Sequence, residues 1–195
     1  MLSSPTTAVK RLLDSSRFLI GEIMQPIENM YTSALEEKGL KLYRGWSGEL
    51  AQQLIVRSRE PEIRKFTSRD ATERFASEQA AEDWYRAKEH VVYVLFQGSD
   101  LAGVAWFTHT PKPGLGAEYT FAIRMYESQR GRGLAGALIE SAHKDFISFK
   151  GYENSFWLES DESNTRAVHF YQKHGYRAVS TEGGRVLMVR KGGAS

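Results

Sequence analysis

Residues 119–140 read YTFAIRMYESQRGRGLAGALIE, and this stretch decides the fold. An apolar run with strand character ends at Met125, a short polar link follows, and Gly131 and Gly133 alternate with Arg130 and Arg132. An amphipathic helix begins directly after them. Glycine permits close approach to the backbone, and the first turn of a helix offers unpartnered N–H groups at the positive end of its dipole. The pattern therefore predicts an anion site, of the kind that holds a phosphate.

Gly131, Gly133 and Gly136 also satisfy G-x-G-x-x-G. A dinucleotide-binding strand runs almost straight into its first glycine and normally opens the domain. Here residues 126–130 intervene, and the motif lies two thirds of the way along a chain of 195 residues. No Gly-Lys-Ser/Thr follows, which excludes a Walker loop.

Outward from the glycines, the preceding segments alternate in type. LKLYRGW (residues 40–46) reads as a strand and SGELAQQLIVRSR (47–59) as a helix. TSRDATERFASEQAAEDWYRAK (67–88) reads as one helix with Asp70 and Glu73 as a capping box. VVYVLFQ and LAGVAWFTH flank Gly98-Ser99-Asp100 as a hairpin, and AEYTFAIRM (117–125) is a third strand after a Pro/Gly loop. Downstream come the helix to about Phe149, a strand SFWLES, a helix SNTRAVHFYQKH ending at Gly175, and two closing strands around Gly183-Gly184. The order β-α-α-β-β-β-α-β-α-β-β predicts a mixed α/β domain with an antiparallel meander at its centre.

The first forty residues differ. Apolar residues from Val9 through Leu19, Ile23, Ile27 and Met30 to Leu35 follow a helical period, with Pro26 as a kink and Gly39 as a stop. We expect a helical arm over residues 1–39 and the main domain over 40–195. The arm packs on the domain, or pairs with a second copy or another partner.

With these elements in place, Arg130-Gly131-Arg132-Gly133-Leu134-Ala135 resembles the acyl-CoA pyrophosphate loop of the GNAT superfamily of N-acetyltransferases, patterned Arg/Gln-x-x-Gly-x-Gly/Ala. LESDESNTRAVHFYQKHGY (158–176) is similar to the family's second signature: a strand, an asparagine, a helix with alanine, a tyrosine and Gly-aromatic. Ala135 stands where glycine is commoner, and the link YESQ lacks the usual proline. The resemblance implies a GNAT-like fold, a mostly antiparallel mixed sheet flanked by helices, and acetyl-CoA as cosubstrate. It implies that Ile123, Arg124 and Met125 bind the pantetheine arm through backbone groups. It also implies that Asn164 touches that arm or nearby backbone and that the Tyr171 hydroxyl lies near the sulfur as general acid. Asn164, Ala167 and Tyr171 share one helix face by their spacing. Helix capping by Asn164 and core packing of Tyr171 are the competing roles. Glu159 matches the base of the branch that acetylates ribosomal protein N-termini, and Glu118 is the competing base.

Composition narrows the field. The chain has no cysteine, so disulfides and cysteine-ligated zinc are excluded, and its five histidines form no His-x-x-x-His pair, so no metal is expected. A net charge of +2 with both signs mixed gives no nucleic-acid stripe. The apolar FLIGEIM (residues 18–24) is interrupted by Glu22 and too short for a membrane span, which leaves the cytoplasm as the expected compartment. The partners expected are acetyl-CoA and an amine acceptor, small molecule or protein. A CoA-holding module without transfer activity is the alternative reading.

Overall fold

The structure is a computed structural model, and it describes residues 24–192. One sheet of eight strands runs through it in the order β1-β2-β3-β4-β5-β6-β8-β7. The strands are β1 (Met24–Pro26), β2 (Leu40–Gly45), β3 (His90–Gln97), β4 (Asp100–Lys112), β5 (Ala117–Met125), β6 (Ser155–Asp161), β7 (Arg177–Glu182) and β8 (Arg185–Arg190). Every neighbouring pair is antiparallel except β5 and β6, which are parallel. That one parallel junction needs a crossover, and α5 (Leu134–Lys150) supplies it. The β3–β4 hairpin turns at Gly98 and Ser99, with φ +61° at Gly98.

The remaining helices are α1 (Ser33–Glu36), α2 (Gly48–Arg57), α3 (Pro61–Arg69), α4 (Glu78–Ala87) and α6 (Thr165–Lys173). The sheet carries a core on each face. One is built on α5 and α6 and contains Leu95, Phe107, Leu138, Phe146, Phe156 and Tyr171. The other lies under α2 to α4 and contains Trp46, Leu50, Leu54, Phe75, Trp106 and Tyr126.

Two sequence readings are corrected. Residues 67–88 do not form one helix: α3 ends at Arg69, a wide π turn covers Asp70–Arg74, and α4 restarts after Ser77, whose Oγ accepts from the Ala80 N–H at 3.2 Å. Asp70 is no cap. It is 1% exposed and pairs with Arg124 and Arg74, while Glu73 pairs with Arg69. The helical period expected at the N-terminus does not continue through Pro26 either, because Met24–Pro26 is a strand on the edge of β2. Proline fits an edge strand, where no ladder N–H is missed. Leu35 on α1 is fully buried, and Asn29 donates from Nδ2 to Ser141 O of α5, so residues 24–39 contribute to sheet and core. The periodic positions Val9 to Ile23 lie outside the described residues.

Candidate active site

The site begins where two strands part. β5 and β6 pair only at Ala117↔Ser155, Tyr119↔Phe156 and Thr120↔Trp157. Beyond Thr120, β5 continues to Met125 and β6 to Asp161 without pairing. The other edge of β5 stays zipped to β4 as far as Met125, and the Tyr126 N–H donates to Ala102 O at 3.0 Å. Peptide groups alternate sides along a strand, so those of Ile123 and Met125 face the gap. Ile123 O accepts from the Arg124 guanidinium at 2.9 Å, and Met125 O accepts from Arg130 Nε at 3.2 Å, both on that open side.

The gap opens into a cleft of about 1230 Å³. Ile123, Arg124 and Met125 line it from β5, Glu159 from β6, and Asn164, Ala167 and Tyr171 from α6. These expected residues are brought together. Glu118 is not: it lies exposed at the far end of β5, outside the cleft lining, with its N–H held by Tyr152 Oη at 2.9 Å.

At the head of the gap stand the glycines. Gly131 (φ +80°) and Gly133 (φ +75°) adopt the left-handed conformation, and nothing lies within 4 Å of where a Cβ would sit on either. Gly133 is the N-cap of the 17-residue helix α5, and no side chain caps it. The first turn of α5 thus begins at an exposed loop whose two glycines leave the backbone uncovered, the geometry an anion needs. Gly136 has a different reason: a Cβ there would stand 3.3 Å from His174 Cε1, so it allows α5 and α6 to touch.

The arginines beside the loop are more constrained than expected. Arg130 pairs with Glu60 at 3.1 Å and Arg132 donates to Gln129 Oε1 at 2.7 Å. Lys38, not anticipated from the sequence, reaches the loop and donates to Arg132 O at 3.1 Å.

Tyr171 is 8% exposed, packed on Tyr176 with ring centroids 5.7 Å apart. Burial raises its pKa, while the charges of Arg124 and Arg185 pull the other way. It thus holds its proton at neutral pH and can donate it. Asn164 Oδ1 caps α6 by accepting from the Ala167 N–H at 3.2 Å, so its carbonyl serves the helix while the residue borders the cleft. Glu159 is exposed and meets Lys112 Nζ at 3.2 Å, and the same ammonium rests 4.3 Å from the Trp157 ring centroid.

The opposite wall holds the residues the sequence hid. Asp70 Oδ2 accepts from Arg124 Nε at 2.7 Å and Asp70 Oδ1 from Arg74 Nη1 at 2.6 Å. Burial alone would raise the Asp70 carboxyl, but the two guanidiniums, Arg124 foremost, outweigh it and hold it below its ordinary value. Arg124 also stacks over Trp106 at 4.9 Å. His90 sits against Trp84 with ring centroids 4.2 Å apart and shares a 2.9 Å hydrogen bond with Thr108 Oγ1. Burial drives its pKa down to about 4, so it is neutral at pH 7. An i, i+4 Asp/Arg spacing at 70 and 74 was visible in the sequence, but nothing local revealed the partner 54 residues on at Arg124.

The Acetyltransferase (GNAT) family model matches residues 53–176, which contain the glycine loop, the parting strands and Tyr171. The chain belongs to the GNAT acetyltransferase family. Solved GNAT structures share its fold. A GNAT-family acetyltransferase from Streptococcus pneumoniae superposes with a TM-score of 0.66 at 20% identity, over 79% of this chain and 99% of that one. Spermidine N-acetyltransferase from Vibrio cholerae, in complex with CoA and spermine, gives 0.61 at 16% identity, over 78% and 94%. AAC(6')-Ib with ribostamycin and coenzyme A gives 0.61 at 17% identity, over 78% and 93%. Among curated proteins none matches the chain significantly. Among the described residues, no helix of this GNAT protein is long and apolar enough to cross a membrane. No group of three or more His, Cys, Asp or Glu among them is placed to hold a metal ion.

Proposed function

We propose that this GNAT protein transfers an acetyl group from acetyl-CoA to a primary amine by direct attack. The observation that carries the reading is the continuity of the open edge of β5 with the unpartnered amides of α5, beside a protonated tyrosine. In this reading the pyrophosphate lies on the amides after Gly133, within the loop from Arg130 to Ala135. The pantetheine arm pairs with the peptide groups of Ile123 and Met125, completing the sheet edge as an added strand would. The backbone of Arg124 and the side chain of Asn164 flank that arm.

The acceptor arrives as an ammonium. A lysine-type amine near pKa 10.4 is neutral about once in two and a half thousand at pH 7. Glu159 takes its proton, and the freed nitrogen attacks the thioester carbonyl. The new C–N bond forms, the nitrogen releases its second proton to solvent, and the C–S bond breaks. The leaving thiolate takes the Tyr171 proton, and Tyr171 is reprotonated from solvent. The products are the acetamide and free CoA.

Calorimetry with acetyl-CoA, followed by thiol release with a panel of amines, tests this. CoA should bind and NAD should not bind comparably. A folded protein that fails to bind CoA rules the reading out.

A further inference from the structure

We propose that the acceptor is a zwitterion, an amine that also carries a carboxylate, and that Arg74 and Arg124 bind that carboxylate. The inference rests on the acetyltransferase reading and names the substrate class of the same cleft.

The first observation is a surplus of positive charge on two half-buried arginines. Asp70 is the one carboxylate between two guanidiniums, so the cluster carries net +1. Each guanidinium has five N–H groups. Arg124 commits Nε to Asp70 and Nη1 to Ile123 O, and Arg74 commits Nη1 to Asp70. Both residues line the cleft. Ser141 Oγ is the single buried side-chain polar atom without a partner among the described residues, so Arg124 Nη2, Arg74 Nε and Arg74 Nη2 are not sealed in the interior without a partner. A guanidinium fork matches a carboxylate in a bidentate geometry. Of the carboxylates that line the cleft, Glu62, Glu73, Asp83 and Glu159 are exposed and Asp161 is half-buried, and Glu73 and Glu159 are already paired with Arg69 and Lys112. Solvent and salt screen such charges far more than buried ones.

The second observation is an ammonium position on the same face. Lys112 Nζ sits between Glu159 at 3.2 Å and the Trp157 ring at 4.3 Å, marking where an acceptor ammonium would be held. Phe156 and Leu158 point into the α5 core, so Trp157 and Glu159 face the other way. Ala122 and Trp106 belong to the opposite core, which puts the neighbouring Arg124 on that same side. Thr120 pairs with Trp157, so Glu159 lies level with residue 122, two residues short of Arg124 on the next strand. At about 3.3 Å per residue and 4.8 Å between strands, the two Cα positions are on the order of 8 Å apart, widened by the parting of the strands. One small molecule spans that distance. A polycation would meet the surplus charge at the arginine end.

The test uses amino acids with α- and ω-amino groups, each beside its carboxamide, with spermidine as the polycation. Thiol release from acetyl-CoA gives kcat/KM, and tryptophan fluorescence without acetyl-CoA reads binding alone. The best amino acid should exceed its own amide by tenfold or more in both readouts. Arg74→Gln should bring that ratio close to one, leave CoA affinity unchanged, and melt as a folded protein. Arg74→Lys should restore part of the ratio. Equal use of acid and amide overturns the inference. So do a ratio untouched by Arg74→Gln, spermidine as the better acceptor, or no response to any amino acid while CoA binds. Loss of CoA binding itself would instead strike the acetyltransferase reading, and the fluorescence titration would still decide the carboxylate site.

Discussion

Replacing Gly133 by alanine and by aspartate separates conformation from charge at the proposed phosphate site. Its φ of +75° imposes strain on any L-residue, and no atom within 4 Å adds a clash. The left-handed penalty, about 1–2 kcal/mol, should therefore appear in both variants. In a chain of 195 residues that lowers the melting temperature by roughly 2–8 °C. The aspartate should recover about 0.3–1 kcal/mol over alanine, because a carboxylate at the head of α5 complements the helix dipole. On cosubstrate binding the order reverses. A carboxylate 4–5 Å from a phosphate repels it by about 3–4 kcal/mol at an effective dielectric near 20, and screening on this exposed loop removes about half of that. CoA should thus bind roughly 10–30-fold more weakly to Gly133→Asp than to Gly133→Ala. Melting of the free proteins and calorimetry with CoA measure the two effects independently. Equal CoA affinity in two folded variants would show that no phosphate approaches these amides.

The remaining expectations address the chemistry and the core. Tyr171→Phe should lower kcat by about 10²-fold while acetyl-CoA affinity stays nearly unchanged, since the hydroxyl acts as the thiolate departs; pre-steady-state acetyl transfer at wild-type rate would leave Tyr171 as packing. Glu159→Gln should depress the rate at neutral pH and regain part of it as the pH rises, because the amine then loses its proton to solvent; an unchanged pH–rate profile would remove Glu159 from the base role. His143 is fully buried among Phe107, Phe121 and Phe156, and burial lowers its pKa from 6.5 to about 3. Because its folded-state pKa is the lower one, the unfolded chain takes up the proton first, and stability is lost as pH falls from 6.5 towards 3. That amounts to about 3 kcal/mol between pH 7 and pH 4. Denaturant titrations across this range should show a flatter pH dependence for His143→Gln, and equal slopes would show that His143 does not set the acid limit.

The sequence carried the fold well wherever the signal was local. β5 was legible to the residue because AEYTFAIRM lies between a Pro/Gly loop and a polar link, and the β3–β4 hairpin because its apolar runs flank Gly98. The loop glycines were legible because their conformation is a property of the residue itself. What escaped depends on distant partners. Asp70 has the look of a helix cap, and only the fold reveals Arg124 opposite it, so burial and ion pairing override the local preference. Met24 and Ile27 keep a helical spacing, yet β2 offers Met24–Pro26 an edge to pair with. Glu118 and Glu159 are both acidic residues on neighbouring strands. Only the parallel register and the parting of β5 from β6 put one at the cleft and the other at the far end.

The contact between Gly136 and His174 has a reach beyond packing. His174 Nδ1 is 2.7 Å from Glu140, and Arg190 of β8 is 2.9 Å from the same carboxylate, so the head of α5 and the tail of α6 are locked together. The proposed phosphate cradle and Tyr171 therefore form one chassis on one side of the sheet. The aromatic and arginine wall from Asp70 to Trp106 is built on the other side, over its own core. The proposed contacts to the phosphate and the thiolate thus belong to one half, while Glu159 and the arginine wall face the other, and the Arg130–Glu60 ion pair ties the glycine loop to that second half. Such a partition lets the wall be rewritten, residue by residue, while the chassis beneath it keeps its alignment.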